Sequence, residues 1–136
     1  MIRKFRYRSG EKGNSVVEFA LTLPILLLVI FGIFHFGRAI MTTNILYTAA
    51  REGARAAAID TLTTYWQPRV NAVLAAGRVH NGISTVTYDP TTRSVRVTIT
   101  SQFSVIGRNM PALINGGIGL PDSIPLSASA VMKYEK

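Results

Sequence analysis

The chain has no cysteine and is short of acid: seven Asp and Glu stand against fifteen Lys and Arg in 136 residues. Without cysteine there can be no disulfide framework, no thiolate metal site and no cysteine nucleophile. A charge of +8 is typical of a nucleic-acid binder only where it gathers on one surface. Here the excess is densest in the first twelve residues and thin elsewhere, so we expect no nucleic-acid partner. The basic residues of this leading cluster are Arg3, Lys4, Arg6, Arg8 and Lys12.

Formal charge is also missing from one long stretch, Phe19 to Gly37. Nineteen helical residues at about 1.5 Å each span roughly 28 Å, close to the ~30 Å hydrocarbon core of a bilayer. The stretch is apolar all round, unlike the striped surface helix of a soluble protein. Because the basic cluster precedes it, the positive-inside rule predicts a cytoplasmic N-terminus and places the rest of the chain across the membrane.

Two other interpretations of this stretch stay open. A cleaved secretory signal also has a basic start and an apolar core, but its cleavage site follows closely. The nearest small-residue sequence, around Ala56 to Ala58, comes about twenty residues too late for that. An uncleaved signal anchor fits the stretch but leaves Gly13 and Glu18 unexplained.

Glu18 is an acid at the start of the apolar stretch, where a membrane anchor normally has none. A charge at the centre of a span costs about 2.5–3.5 kcal/mol, and less near an end. Intramembrane acids therefore usually have a partner, yet no Lys or Arg lies within one helical turn of Glu18. A cut after Gly13 would give Asn14 a free amine that can pair with Glu18 of a neighbouring chain. The alternative is an acid that snorkels to the cytoplasmic interface.

Two motifs in order carry a family resemblance. The first is the basic leader with Gly13, Glu18, Phe19 and the apolar helix behind them, which is similar to a class of prepilins. The second is A-A-R-E-G-A-R-A-A at residues 49–57, which contains Arg51, Glu52 and Arg55. Together, over about residues 10–58, they closely resemble the TadE-like proteins, which are minor pilins or pseudopilins of the tight-adherence (Flp) pilus system.

The resemblance implies a leader of residues 1–13, removed on the cytoplasmic side by a prepilin peptidase, which is an aspartic membrane protease. The mature helix would begin at Asn14, and Glu18 and Phe19 would act in processing or assembly. Expected partners are the peptidase, other pilin or pseudopilin subunits, the pilus assembly platform and the lipid bilayer. The expected location is the bacterial inner membrane or the pilus, with the C-terminal domain periplasmic. A single-pass anchored periplasmic binding module without a pilus role is the alternative, and a membrane-tethered hydrolase is a third hypothesis.

Small residues recur every four positions in the second motif. Ala49, Gly53 and Ala57 form one such series, and Ala50 and Ala54 begin another that continues to Ala58. A helix face of this kind permits close approach. One hypothesis packs it under this protein's own sheet, and the other places part of it against other pilin helices.

The remaining residues predict a small α+β domain over residues 61–136, after a long helix over residues 14–60. Pro68 to Val79 is typical of a short helix ended by Asn81-Gly82, and a β-hairpin turning at Asp89-Pro90 follows. Residues 106–123 are typical of a loop, and Leu126 to Tyr134 alternate as a final strand. The predicted fold is pilin-like: a long N-terminal helix packed on an antiparallel sheet of about three strands, with one extra helix.

No catalytic motif stands out. The aspartates are isolated in sequence, no nucleophile elbow is present, and G-G-I-G at residues 116–119 lacks the lysine of a phosphate loop. We therefore expect no enzymatic activity, no metal and no cofactor.

Overall fold

The computed structural model describes residues 10–59, 65–104 and 123–134. They form helix α1 (Gly10–Ile59), helix α2 (Trp66–Ala76) and strands β1 (Gly82–Asp89), β2 (Ser94–Ser104) and β3 (Ser123–Lys133). The predicted α+β fold, with a long helix, a short helix and a three-stranded antiparallel sheet, is confirmed. The predicted loop over residues 106–123 falls almost wholly outside the described residues, as does the leader before Gly10.

Two compact units make up the chain, Met1–Gly37 and Arg38–Lys136. Helix α1 is continuous through Pro24 and belongs to both units. The predicted division at residues 60 and 61 follows secondary structure, whereas the compact units divide inside the helix. The reason is burial: the helix has its first fully buried residue at Leu46, and its later residues share a core with the sheet.

Helix α2 was predicted to run from Pro68 to Val79. In the structure it begins two residues earlier, at Trp66, and ends three residues earlier, at Ala76. Pro68 is still in the first turn, where its missing N–H needs no partner. At the other end Arg78 takes a left-handed φ of 57°, and its N–H donates to the Ala75 carbonyl at 3.0 Å. The N–H of Val79 donates to the Leu74 carbonyl at 2.9 Å, which completes a Schellman C-cap. The helix thus ends on an arginine in the conformation that glycine prefers.

Gly77, just before that arginine, serves close packing instead of the turn. Its φ is −81°, which any residue adopts. A Cβ added to Gly77 would lie 2.5 Å from Cγ2 of Ile45 in α1. Gly82, where β1 begins, is similar, since its Cβ would lie 2.7 Å from Cδ1 of Leu74. Both glycines let backbone approach a side chain of the core.

The sheet has the order β1-β2-β3, and both pairings are antiparallel. Central strand β2 alternates between the two faces of the sheet: Val95, Val97 and Ile99 are fully buried, while Arg96 on the opposite face is exposed. Strand β3 buries Ala128 and half-buries the alternating residues around it. One face of the sheet is therefore the core face, and the other faces outward.

The β1–β2 turn is organised by the carboxylate of Asp89. The hydroxyl of Thr92 donates to Oδ2 at 2.8 Å, and the backbone N–H groups of Thr91 and Thr92 donate to Oδ1 at 2.9 and 3.4 Å. The Thr92 hydroxyl and these backbone donors together hold the pKa of Asp89 below its usual value. Arg93 closes the turn with a positive φ of 48°. The predicted turn at Asp89-Pro90 is thus present, and its chemistry comes from the aspartate.

Candidate functional site

The first part of α1 is an apolar surface without protein cover. Leu21 is 70% exposed, and Ile33 and Phe36 are each 69% exposed. Large contiguous apolar patches of this kind mark membrane or protein contacts. Among the described residues, α1 is the one helix long and apolar enough to cross a membrane. The helix fits a single-pass membrane anchor.

Glu18 lies exposed on this apolar helix, four residues before Thr22 and therefore one turn away on the same side. The Thr22 hydroxyl donates to the Phe19 carbonyl at 3.1 Å, so its polar group is satisfied within the helix. A carboxylate has only acceptors and finds no such local solution in a helix interior. The carboxylate of Glu18 therefore calls for an external partner, and the buried Nδ1 atom of His35, further along the same helix, also has no hydrogen-bond partner among the described residues.

Gly13 and Asn14, the predicted cleavage pair, are both exposed near the start of α1. A Cβ built on Gly13 would meet nothing within 4 Å. The same holds for Gly32 and Gly37 further along the helix. The fold of this chain therefore gives no reason for glycine at position 13.

The small-residue face lies in the core of the second unit. Gly53 is at its centre, since a Cβ added there would lie 2.5 Å from Cγ2 of Val70 in α2 and 3.2 Å from Cγ1 of Val97 in β2. The alanines around it are fully buried, and Leu46 begins the same buried series. The face thus packs under the protein's own sheet and second helix, the first of the two hypotheses. The buried alanines are Ala49, Ala50, Ala54 and Ala57.

The charged residues of the second motif point away from that core. Arg51 and Arg55 are exposed, and Glu52 is half-buried. Glu52 and Arg55 line a cleft of about 250 Å³ between the end of α1 and the start of α2. Its other lining residues are Ala56, Ile59, Tyr65 and Arg69.

Sequence reasoning missed four residues that contribute to this region. Trp66 is buried at the start of α2, although the helix was predicted to begin two residues later. Ile45 packs on Gly77, and nothing local in the sequence marks that contact. Tyr65 and Arg69 join Glu52 at the cleft only through the tertiary fold. The lone tryptophan was the one available signal, because a large aromatic beside a short helix is commonly a core residue.

Comparison with protein families gives one finding that bears on this geometry. Residues 13–55, which are 43 of the 136, match the family described as TadE-like protein. The match begins at the exposed glycine, includes the apolar helix and Glu18, and ends in the buried small-residue face. It confirms the resemblance drawn from the two motifs and associates the chain with tight-adherence pilus proteins. Neither a curated protein sequence nor a solved structure matches the chain.

Proposed function

We propose, from the TadE-like match of residues 13–55, that this chain is a minor pilin or pseudopilin subunit of a bacterial tight-adherence pilus system. It enters the inner membrane with its N-terminus cytoplasmic and is trimmed between Gly13 and Asn14 by a prepilin peptidase. The observation that carries the proposal is Glu18, an exposed acid on an otherwise apolar helix, placed five residues after an unpacked glycine.

Trimming would supply the partner that Glu18 lacks. The cut creates an α-amine on Asn14, and opposite charges within about 4–6 Å stabilise each other strongly away from water. Four residues separate Asn14 from Glu18 along the helix, so a neighbouring chain displaced along its axis can bring its amine to the carboxylate. Pairing between chains would remove an uncompensated charge from an apolar bundle.

The buried small-residue face limits which part of α1 is free to contact other subunits. Ala50, Gly53 and Ala54 are committed to the protein's own core. Contacts with other pilin helices then fall to the uncovered apolar residues upstream, including Phe19. This division supports a subunit that enters an assembly through its N-terminal helix while its sheet domain faces the periplasm.

The proposal is structural, not enzymatic: the chain is a substrate of the peptidase and an assembly component. Among residues 10–59, 65–104 and 123–134, no group of three His, Asp or Glu side chains could hold a metal ion. The alternative role, an anchored periplasmic binding module, shares the membrane helix and lacks the cut.

Co-expression with a matched prepilin peptidase tests the proposal. We expect an N-terminal sequence that begins at Asn14 and an intact mass equal to that of residues 14–136. A reporter fused after Lys136 should be periplasmic. A catalytically inactive peptidase is the control and should leave the leader in place. Membrane insertion with an untrimmed leader in both cases would support the anchored binding module and end the pilin proposal.

Changing Glu18 should separate trimming from assembly. Glu18→Ala removes the charge, so insertion should persist or improve by up to about 2.5 kcal/mol. Trimming should also persist, whereas co-purification of the trimmed chain with other pilus subunits should fall, because the new amine is left unpaired. Glu18→Gln keeps shape and hydrogen bonding and should fail in the same way. If both trimmed variants co-purify with other pilus subunits as well as the wild-type chain does, then Glu18 is only an acid at the membrane interface and has no role in assembly.

A further inference from the structure

The cleft between the end of α1 and the start of α2 has one wall from each helix. Its lining residues on α1 are spaced i, i+3, i+4 and i+7, so they lie along one face of that helix. Its two lining residues at the start of α2 are one turn apart. Both walls belong to the same compact unit, Arg38–Lys136. The α1 residues are Glu52, Arg55, Ala56 and Ile59, and the others are Tyr65, at the N-cap of α2, and Arg69.

The two helices run in opposite directions along the cleft. Ile45 of α1 lies against Gly77, which directly follows α2. Gly53, further along α1, lies against Val70, which is nearer the start of α2. The end of α1 is therefore level with the start of α2, and residues of the two walls can be matched by their distance from the contact between Gly53 and Val70.

One end of the cleft is charged. Arg69 directly precedes Val70, so it lies level with Glu52 and Arg55 on the other wall. In the described part of the chain, neither arginine lies within 4.0 Å of a carboxylate oxygen. Two cations and one acid leave a single net positive charge, which matches a carboxylate better than a dianion such as phosphate. Guanidinium groups also bind carboxylates through two parallel hydrogen bonds.

The other end of the cleft is apolar and exposed. Tyr65 lies one turn before Arg69 and therefore level with Ala56 and Ile59. Ile59 is 80% exposed and Tyr65 is 61% exposed, so the apolar end lacks cover from this chain. One helical turn of about 5.4 Å separates the two ends. An α-carboxylate and the tip of an apolar side chain on the same residue are separated by a similar length, so one residue can occupy both ends.

We propose that this cleft binds the C-terminus of a partner polypeptide whose last side chain is apolar. The α-carboxylate accepts hydrogen bonds from Arg55 and Arg69, and the last backbone N–H donates to Glu52. The apolar side chain covers Ile59 and Tyr65. A chain end is favoured over an internal acidic side chain because its carboxylate, N–H and side chain all leave one Cα. This suits a cleft of about 250 Å³, which is smaller than the ~300–1,000 Å³ typical of drug-sized ligands. The site does not depend on whether the leader is trimmed.

Fluorescence polarisation with the full-length protein in detergent micelles tests the ligand. The probe is a pentapeptide, Gly-Ser-Gly-Ser-Leu, with fluorescein at its N-terminus and a free C-terminal carboxylate. It should bind at least about tenfold more tightly than its C-terminal amide, because amidation removes the charged acceptor that both arginines bind. Replacing the final leucine by glycine should weaken binding about fivefold, because the apolar end of the cleft is then left uncovered.

Two further probes distinguish a chain end from other anions. The labelled amide Gly-Ser-Glu-Ser-Leu has an internal carboxylate and no charged chain end, and it should bind no better than the first amide. Inorganic phosphate should displace the free-carboxylate peptide no more than sodium chloride of the same ionic strength does. The proposal is overturned if the free-carboxylate peptide does not bind, if either amide binds equally well, or if phosphate displaces the peptide beyond the chloride control.

Substitutions at exposed residues locate the binding site. Arg69→Gln removes one guanidinium and should weaken binding of the free-carboxylate peptide about tenfold. Arg51→Gln makes the same change on an exposed arginine of α1 that does not line the cleft, and it should leave binding unchanged. Ile59→Ser should weaken the leucine-ended peptide about fivefold and the glycine-ended peptide much less. Thermal unfolding followed by Trp66 fluorescence should be unchanged in all three variants, which separates binding from folding. Equal losses from Arg69→Gln and Arg51→Gln, or no loss from Arg69→Gln, would contradict binding in this cleft.

Discussion

Replacing Gly53 by leucine is expected to destabilise the sheet domain by about 3 kcal/mol, at the upper end of the usual range for overpacking a core. Even the first added carbon would lie 2.5 Å from Cγ2 of Val70 and 3.2 Å from Cγ1 of Val97. Neither valine can rotate a branched side chain away without entering a neighbour in a close-packed core. For a domain of this size the loss should lower Tm by roughly 12–24 °C.

Trp66 gives a specific readout of this change. It is the single tryptophan of the chain and is buried in the core at the start of α2, so its fluorescence reports on the sheet domain without a contribution from the membrane helix. Gly32→Leu is the matched control, because a Cβ at Gly32 would meet nothing within 4 Å. That variant should insert normally and unfold at the wild-type temperature.

A second pair of variants ties the effect to a particular contact. Gly53→Ala gains about 1 kcal/mol of helix propensity but still places its Cβ against Val70. Val70→Ala alone should leave a small cavity, whereas the double variant fills it, so the two changes should be less than additive. Strict additivity, or equal unfolding of Gly53→Leu and Gly32→Leu, would mean that α1 does not pack on Val70 as described.

The strands were the most predictable part of the fold, because successive side chains of a strand point to opposite faces and the buried residues therefore recur at every second position. Val95, Val97 and Ile99 alternate with exposed or half-exposed polar residues, and Asp89-Pro90 marks the turn between strands. The bounds of α2 were less predictable. Asn81-Gly82 has the chemistry of a helix end, yet the helix ends at Ala76 through the left-handed Arg78. A non-glycine residue in that conformation carries no local sequence signal.

Glycines illustrate what sequence can and cannot give about the site. Gly53 is buried and Gly77 is half-buried, and each lies against a side chain far along the chain, Val97 and Ile45 respectively. The four-residue spacing of small residues predicted a close contact at Gly53 but did not identify Val97 as its partner. It gave no indication of the contact between Gly77 and Ile45. Tertiary contacts of this kind are decided by the packing of separate elements, so a local pattern specifies only that a close approach occurs.

Gly13→Arg is expected to abolish trimming while leaving the chain inserted. Arginine is a better helix former than glycine by about 0.8–1 kcal/mol, and the added positive charge strengthens a cytoplasmic N-terminus. A side chain at position 13 meets nothing in this chain, as the empty surroundings of its Cβ show. If the variant is not cut, the reason is therefore that the peptidase requires a small residue at position 13, since the fold of this chain does not. Intact mass should show the leader retained in full.

Gly13 and Asn14 lie within α1 (Gly10–Ile59), so the bond to be cut is in helical backbone. A protease needs extended backbone, so the helix must open locally around this bond before it can be cut. Two variants follow from this position. Gly10→Arg makes the same change in charge and helix propensity three residues upstream, and it should still be trimmed. Gly13→Ala favours the helix while keeping the residue small, so slower trimming at the same bond would identify local opening as the step that glycine assists. Trimming of Gly13→Arg at the wild-type bond and rate would show that position 13 is not read by the peptidase.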